Sequence, residues 1–89
     1  MIFISYSWHD RDDAVRLCHA LDSSGYAYWL DSQRLDLDLP LIPQIVDGLT
    51  DASAVLVVDS RASRRSAWVR CEQSLARRLS KRILTLSPN

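Results

Sequence analysis

The sequence predicts an α/β fold, a parallel sheet of about four strands flanked by helices. Three observations predict it. Four short runs, at 2–5, 26–30, 54–58 and 83–86, are rich in the β-branched and aromatic residues that strands favour. Between them, apolar residues recur at helical spacing. The run Ala54-Val55-Leu56-Val57-Val58 shows no polar alternation, as expected of a strand buried on both faces of a parallel sheet. The resulting order, β-α-β-α-β-α-β, implies right-handed crossovers.

The first strand is Ile2-Phe3-Ile4-Ser5. A helix follows over residues 10–24, where Ala14, Leu17, Cys18 and Leu21 fall on one face. Asp10, Asp12 and Asp13 crowd its start, where the helix dipole favours anions, and Gly25 stands just past its end. Tyr26-Ala27-Tyr28-Trp29-Leu30 reads as the second strand. Residues 31–41 form a polar loop, whose alternating Leu35, Leu37 and Leu39 mimic a strand that Pro40 and Pro43 cut short. Ile42, Ile45, Val46 and Leu49 predict a second helix over 41–50, with Pro43 in its first turn. After the third strand, a third helix is expected over about 66–80, then the strand Ile83-Leu84-Thr85-Leu86. Such sheets bind ligands beyond the carboxyl ends of their strands. The loops at 6–10, 31–39 and 59–66 are therefore the places to look.

Eighty-nine residues allow one domain, 1–89, and the 47% hydrophobic and 25% charged content is that of an ordinary globular protein. No apolar run approaches the roughly 20 residues that cross a bilayer. Met1-Ile2-Phe3-Ile4 enters a strand with no basic leader, so no signal peptide is expected. Cys18 and Cys71 are too few for a disulfide framework and read as reduced thiols of a cytoplasmic protein. His9 and His19 have no cysteine beside them, and no metal site is expected. With only Gly25 and Gly48, the chain lacks a glycine-rich phosphate loop.

The net charge of zero conceals an asymmetry. Residues 1–60 carry ten acids and three bases, hence −7; residues 61–89 carry eight bases and one acid, hence +7. Two readings stand: solvated faces that offset one another, or self-association of acidic face on basic face. No basic patch with interleaved aromatics is present, so direct nucleic-acid binding is not expected.

That single acid, Glu72, does not fit its helix. At about 100° per residue from Trp68, Leu75 lies near −20°, Leu79 near +20° and Glu72 near +40°. Glu72 is thus within the apolar arc, opposite Arg70, Gln73 and Arg77. A charge there needs a reason. It either pairs with a neighbour such as Arg65 or sits at the helix edge, or it is a partly buried carboxylate in a cleft at the carboxyl end of the sheet.

Several of these segments, taken together, resemble the Toll/interleukin-1 receptor (TIR) domain family. Phe3-Ile4-Ser5-Tyr6-Ser7 resembles the opening strand of such domains. Tyr28-Trp29-Leu30-Asp31 is similar to their second strand and the start of the long BB loop, and Ala54 to Val58 with Ser60 to their third strand. Trp68-Val69-Arg70-Cys71-Glu72 matches the W-x-x-x-E pattern of bacterial and other enzymatic members. The resemblance covers essentially the whole chain.

The resemblance implies a flavodoxin-like sheet in the order 2-1-3-4. It implies a TIR domain shortened by the usual C-terminal helix, strand and helix, which would leave the fourth strand at an edge. It also implies NAD+ as substrate rather than cofactor. The nicotinamide–ribose bond would be cleaved by a hydrolase or cyclase in bacterial defence or cell-death signalling, with Glu72 catalytic. Substrate contacts then fall on Tyr6, Ser7, Trp8, Arg34, Asp36 and Trp68. Tyr6 or Trp8 would stack on a ring or simply pack at the sheet edge, and Arg34 would meet a phosphate. Trp68 reads better as a core anchor. Ser5, Ser7 and Asp31 also suit turns and caps, and Ser63 and Ser66 suit caps. The implied partners are other TIR domains and a fused or associated sensor or effector. A scaffold that only assembles with other TIR domains is the alternative. The BB loop departs from the family in lacking a glycine, reading Leu35-Asp36-Leu37-Asp38-Leu39-Pro40. A receiver domain would want clustered acids where Ser5-Tyr6-Ser7 stands, and is set aside.

Overall fold

The computed structural model describes residues 1–30 and 35–88. Strands β1 (Ile2–Ser5), β2 (Tyr28–Leu30), β3 (Ala54–Val58) and β4 (Ile83–Leu86) form an all-parallel sheet in the order β2-β1-β3-β4. Helices α1 (Arg11–Ser23), α2 (Leu41–Asp51), α3 (Arg61–Arg65) and α4 (Ala67–Arg78) lie between them, and a 3-10 turn, Trp8–Asp10, precedes α1. No helix among the described residues is long and apolar enough to cross a membrane.

Side chains along a strand alternate between faces, and β1 divides its residues accordingly. Phe3 packs with Trp29, Val55 and Val57 and with Ile45, Leu49, Val69 and Ala76 of α2 and α4. Ile4 and Tyr6 pack with Leu30 and Val58 and with Ala14 and Cys18 of α1. Each face therefore has its own core, and full burial of a side chain such as Phe3 or Ile4 stabilises by about 1.5–3 kcal/mol. Phe3 and Trp29 are register partners with stacked rings, centroids 4.6 Å apart. Gly48 of α2 permits that stack, because a Cβ there would lie 2.8 Å from Cε2 of Trp29.

The elements differ from the sequence expectation in three places. β2 begins at Tyr28, not Tyr26, because the Tyr26 amide closes the end of α1 on the Leu21 carbonyl at 2.9 Å. Residues 8–10 wind as a 3-10 turn because the Ser7 hydroxyl accepts from the His9 amide at 3.1 Å. The helix expected over 66–80 is preceded by α3, which is too short to show a period. A capping box makes α3: Ser60 accepts from the Ser63 amide, and Ser63 accepts from the Ser60 amide at 2.8 Å. Ser66, in extended backbone, then separates α3 from α4 and caps α4 by accepting from the Val69 amide.

Helices α1 and α4 end alike. In each the last turn is closed by a bond spanning five residues, Tyr26 to Leu21 and Lys81 to Ala76. The residue that turns the chain is left-handed in both, Gly25 at φ 79° and Ser80 at φ 56°. On β4, at the sheet edge, Leu84 and Leu86 are exposed.

Candidate functional site

The strand order fixes where a site can form. The chain leaves β1 towards β2 on one side and leaves β3 towards β4 on the other, so the loops after these two central strands diverge. Ligands of open α/β sheets bind in such a crevice. Here it is a cleft of about 640 Å³, lined by Ser7, Trp8 and His9 after β1 and by Arg61, Ala62, Arg65 and Ser66 after β3. Its two walls are tied together where the Ser60 hydroxyl, at the cap of α3, donates to the Asp10 carboxylate. Trp8 is 68% exposed, and the Arg11 guanidinium lies 4.5 Å from its ring centroid. Arg61 and Arg65 are exposed one helical turn apart. Arg64 is turned instead to Asp59, Nε to Oδ1 at 3.1 Å, and that hydrogen bond and charge push its guanidinium above the usual pKa.

Beneath this level lies Glu72. It belongs to the row Val69, Glu72, Ala76 that α4 presents to the sheet, and none of the three is exposed. Ser5, the last residue of β1, shares the face of Phe3 and so points at α4. Its hydroxyl donates to Glu72 Oε1 at 2.9 Å, and both side chains are fully buried. The inward placement read from the helical wheel is observed. The expected partial burial is corrected: Glu72 is wholly buried and is not among the residues lining the cleft. The reason is its place between Val69 and Ala76, which press the helix onto the sheet. Burying a carboxylate this deeply is costly, and a hydrogen-bond donor offsets part of the cost.

The other expected contacts separate. Ser7 and Trp8 line the cleft, and Ser7 also caps the 3-10 turn. Tyr6 does not join them: strand alternation turns it to the α1 core, where it is 7% exposed. Asp36 acts as a turn residue, its carboxylate accepting from the Asp38 amide at 3.0 Å. The Gln44 side chain clamps the Asp36 backbone, accepting from its amide and donating to its carbonyl. Asp36 is not among the cleft-lining residues. Trp68 is half-buried against the core of the α2 and α4 face, as an anchor. Arg34 and Asp31 lie outside the described residues.

Sequence reasoning missed Ser5 as a partner of Glu72, and Arg61 and Arg65 as cleft residues. Parity along β1 could have found Ser5, since it shares a face with Phe3. The loop 59–66 is marked as a ligand position, but nothing in it singles out the two arginines, whose shared direction depends on a five-residue helix without a period.

A TIR domain family model matches residues 2–88. A 2′ cyclic ADP-D-ribose synthase of Bacteroides thetaiotaomicron is 34% identical over 71 residues, which is 79% of this chain and 25% of that protein. The chain thus spans about a quarter of the length of this curated relative. The crystal structure of the TIR domain of a Toll-related receptor from Hydra magnipapillata superposes with a TM-score of 0.86. The match covers 94% of this chain and 66% of that one at 18% identity, a likeness of fold.

Proposed function

The chain belongs to the TIR domain family, and on that premise we propose that it cleaves the nicotinamide–ribose bond of NAD+, as a hydrolase or cyclase, with Glu72 as the catalytic group. One observation carries the reading: a carboxylate buried at the carboxyl end of the central strand β1, held by Ser5 at 2.9 Å. The likeness to a 2′ cyclic ADP-D-ribose synthase supports it.

The chemistry suits one carboxylate. The C1′–N bond breaks, and its electron pair goes to the nicotinamide nitrogen, which leaves neutral and needs no proton donor. Positive charge develops on the ribose, as in glycoside hydrolysis. A carboxylate fixed in a water-poor site stabilises that charge or holds a ribose hydroxyl. Water then attacks C1′ and loses a proton to give ADP-ribose, or an oxygen of the ADP-ribose itself attacks to give a cyclic product. Glu72 has no exposed surface in the conformation described. Catalysis therefore requires the loop after β1 and the start of α4 to part when substrate enters.

The test is nicotinamide release from NAD+ at high protein concentration, comparing the chain with Glu72→Gln. The expected outcome is a loss of about a hundred- to a thousandfold, the scale of removing a key electrostatic group, with the melting temperature held or raised. Equal release by both proteins removes Glu72 from the mechanism.

A second reading, a scaffold that assembles with other TIR domains, is favoured by the charge distribution. Seven of the eight basic residues of 61–89 are exposed, Lys81 alone being half-buried, while Asp12, Asp22, Asp36, Asp38, Asp47 and Asp51 are exposed in the acidic part. Absence of nicotinamide release, together with self-association that falls as salt rises, decides for the scaffold.

A further inference from the structure

The cleft above Glu72 contains two guanidinium groups whose place the catalytic reading leaves unexplained. We propose that it is a diphosphate subsite, in which Arg61 and Arg65 hold the pyrophosphate of a dinucleotide while Trp8 stacks on a flanking ring. The proposal rests on the reading of the chain as an NAD+-cleaving domain and names a part of that site.

Features of charge and of shape carry it. Arg61 and Arg65 are four residues apart on α3, so they rise from one face about 6 Å apart along the axis. That spacing presents two guanidinium forks to two adjacent phosphoryl groups, and arginine binds phosphate in bidentate fashion. The third arginine of α3, Arg64, is engaged with Asp59, whereas the side chains of Arg61 and Arg65 make no ion pair or hydrogen bond among the described residues. No acid is found among the described residues lining the cleft, and the neighbouring Asp10 carboxylate is taken by the Ser60 hydroxyl.

The remaining features concern shape. An exposed indole stands on the opposite wall, and Arg11 occupies only one of its faces. The bond from Ser60 to Asp10 holds the two walls in register, so the arginines and the indole are presented together. The volume, about 640 Å³, is that of a small-molecule site. The position also fits the chemistry below. Ser7, in the cleft, is two residues from Ser5, and Ser66 caps the helix that bears Glu72. A diphosphate held here leaves the ribose it carries free to reach down towards the carboxylate.

Calorimetric titration of the full chain tests this, with ADP-ribose as one probe and nicotinamide riboside, which lacks the diphosphate, as the other. The double variant Arg61→Ala/Arg65→Ala is expected to lose about a hundredfold in ADP-ribose affinity, roughly tenfold for each charge-assisted contact. Its affinity for nicotinamide riboside is expected to stay as it was. Arg64→Ala is expected to match the parent, and inorganic pyrophosphate to compete with ADP-ribose. All three side chains are exposed, and circular dichroism verifies that the variants are folded. Equal ADP-ribose binding by parent and double variant overturns the proposal, as does equal loss of both probes or failure of the parent to bind ADP-ribose. Arginine-dependent binding without nicotinamide release sustains the diphosphate subsite and removes the catalytic reading.

Discussion

Under α1 the sheet meets apolar side chains, a tyrosine ring and a thiol; under α2 and α4 the same strands meet a comparable core into which Ser5 and Glu72 are set. The α1 face shows what these strands need in order to fold. Its one buried thiol, Cys18, is pushed up in pKa by burial and by Asp22, so it stays protonated and inert. No carboxylate is needed to build such a face. The carboxylate on the other face is therefore an expense to stability that the fold itself does not demand, and the difference between the faces points to function.

The largest effect that bears on this contrast is expected at Ile4, on the α1 face. Ile4→Ala should cost about 2–5 kcal/mol in urea unfolding while leaving nicotinamide release per folded molecule unchanged. A matching loss of turnover in folded protein would break the division of labour between the faces. Ser5→Ala, on the other face, should lower turnover and, because the buried Glu72 Oε1 loses its donor, some stability as well. The expected outcome is a fall in kcat of about tenfold, one charge-assisted hydrogen bond, with KM little changed. Ser5→Thr, which keeps the hydroxyl, should recover most of the loss. The smallest effect lies outside both cores, where α1 turns on Gly25 and α4 on Ser80 in the same left-handed backbone. Ser80→Gly should raise stability by up to about 1 kcal/mol, read as a small rise in melting temperature with activity intact.

Much of this arrangement is legible in the residues. The unalternating run Ala54–Val58 gives β3 its bounds, and the helical wheel alone turns Glu72 inward. The parallel order follows from the alternation of strands and helices. What is not legible is long-range or short-lived in sequence. Ser5 and Glu72 are 67 residues apart, and nothing in either segment names the other as its partner. The family resemblance assigns Tyr6 to stacking on a ring or packing at the sheet edge, and its parity with Ile4 sends it into the α1 core. The resemblance implies a substrate contact at Asp36, whose carboxylate accepts from the Asp38 amide in a local turn. The arginines of α3 acquire a shared direction only once reciprocal serine capping has wound five residues into a helix.

Gly48 has a consequence beyond packing. By letting Trp29 lie flat on Phe3, it leaves that indole 7% exposed, while Trp68 is half-buried and Trp8 is 68% exposed. The three tryptophans thus form a graded optical series. Trp29 should emit at the blue edge and shift only when the sheet comes apart. Trp8 should emit at the red edge and respond to whatever enters the cleft. Unfolding and occupancy can then be followed in one sample, at two wavelengths, with no label added.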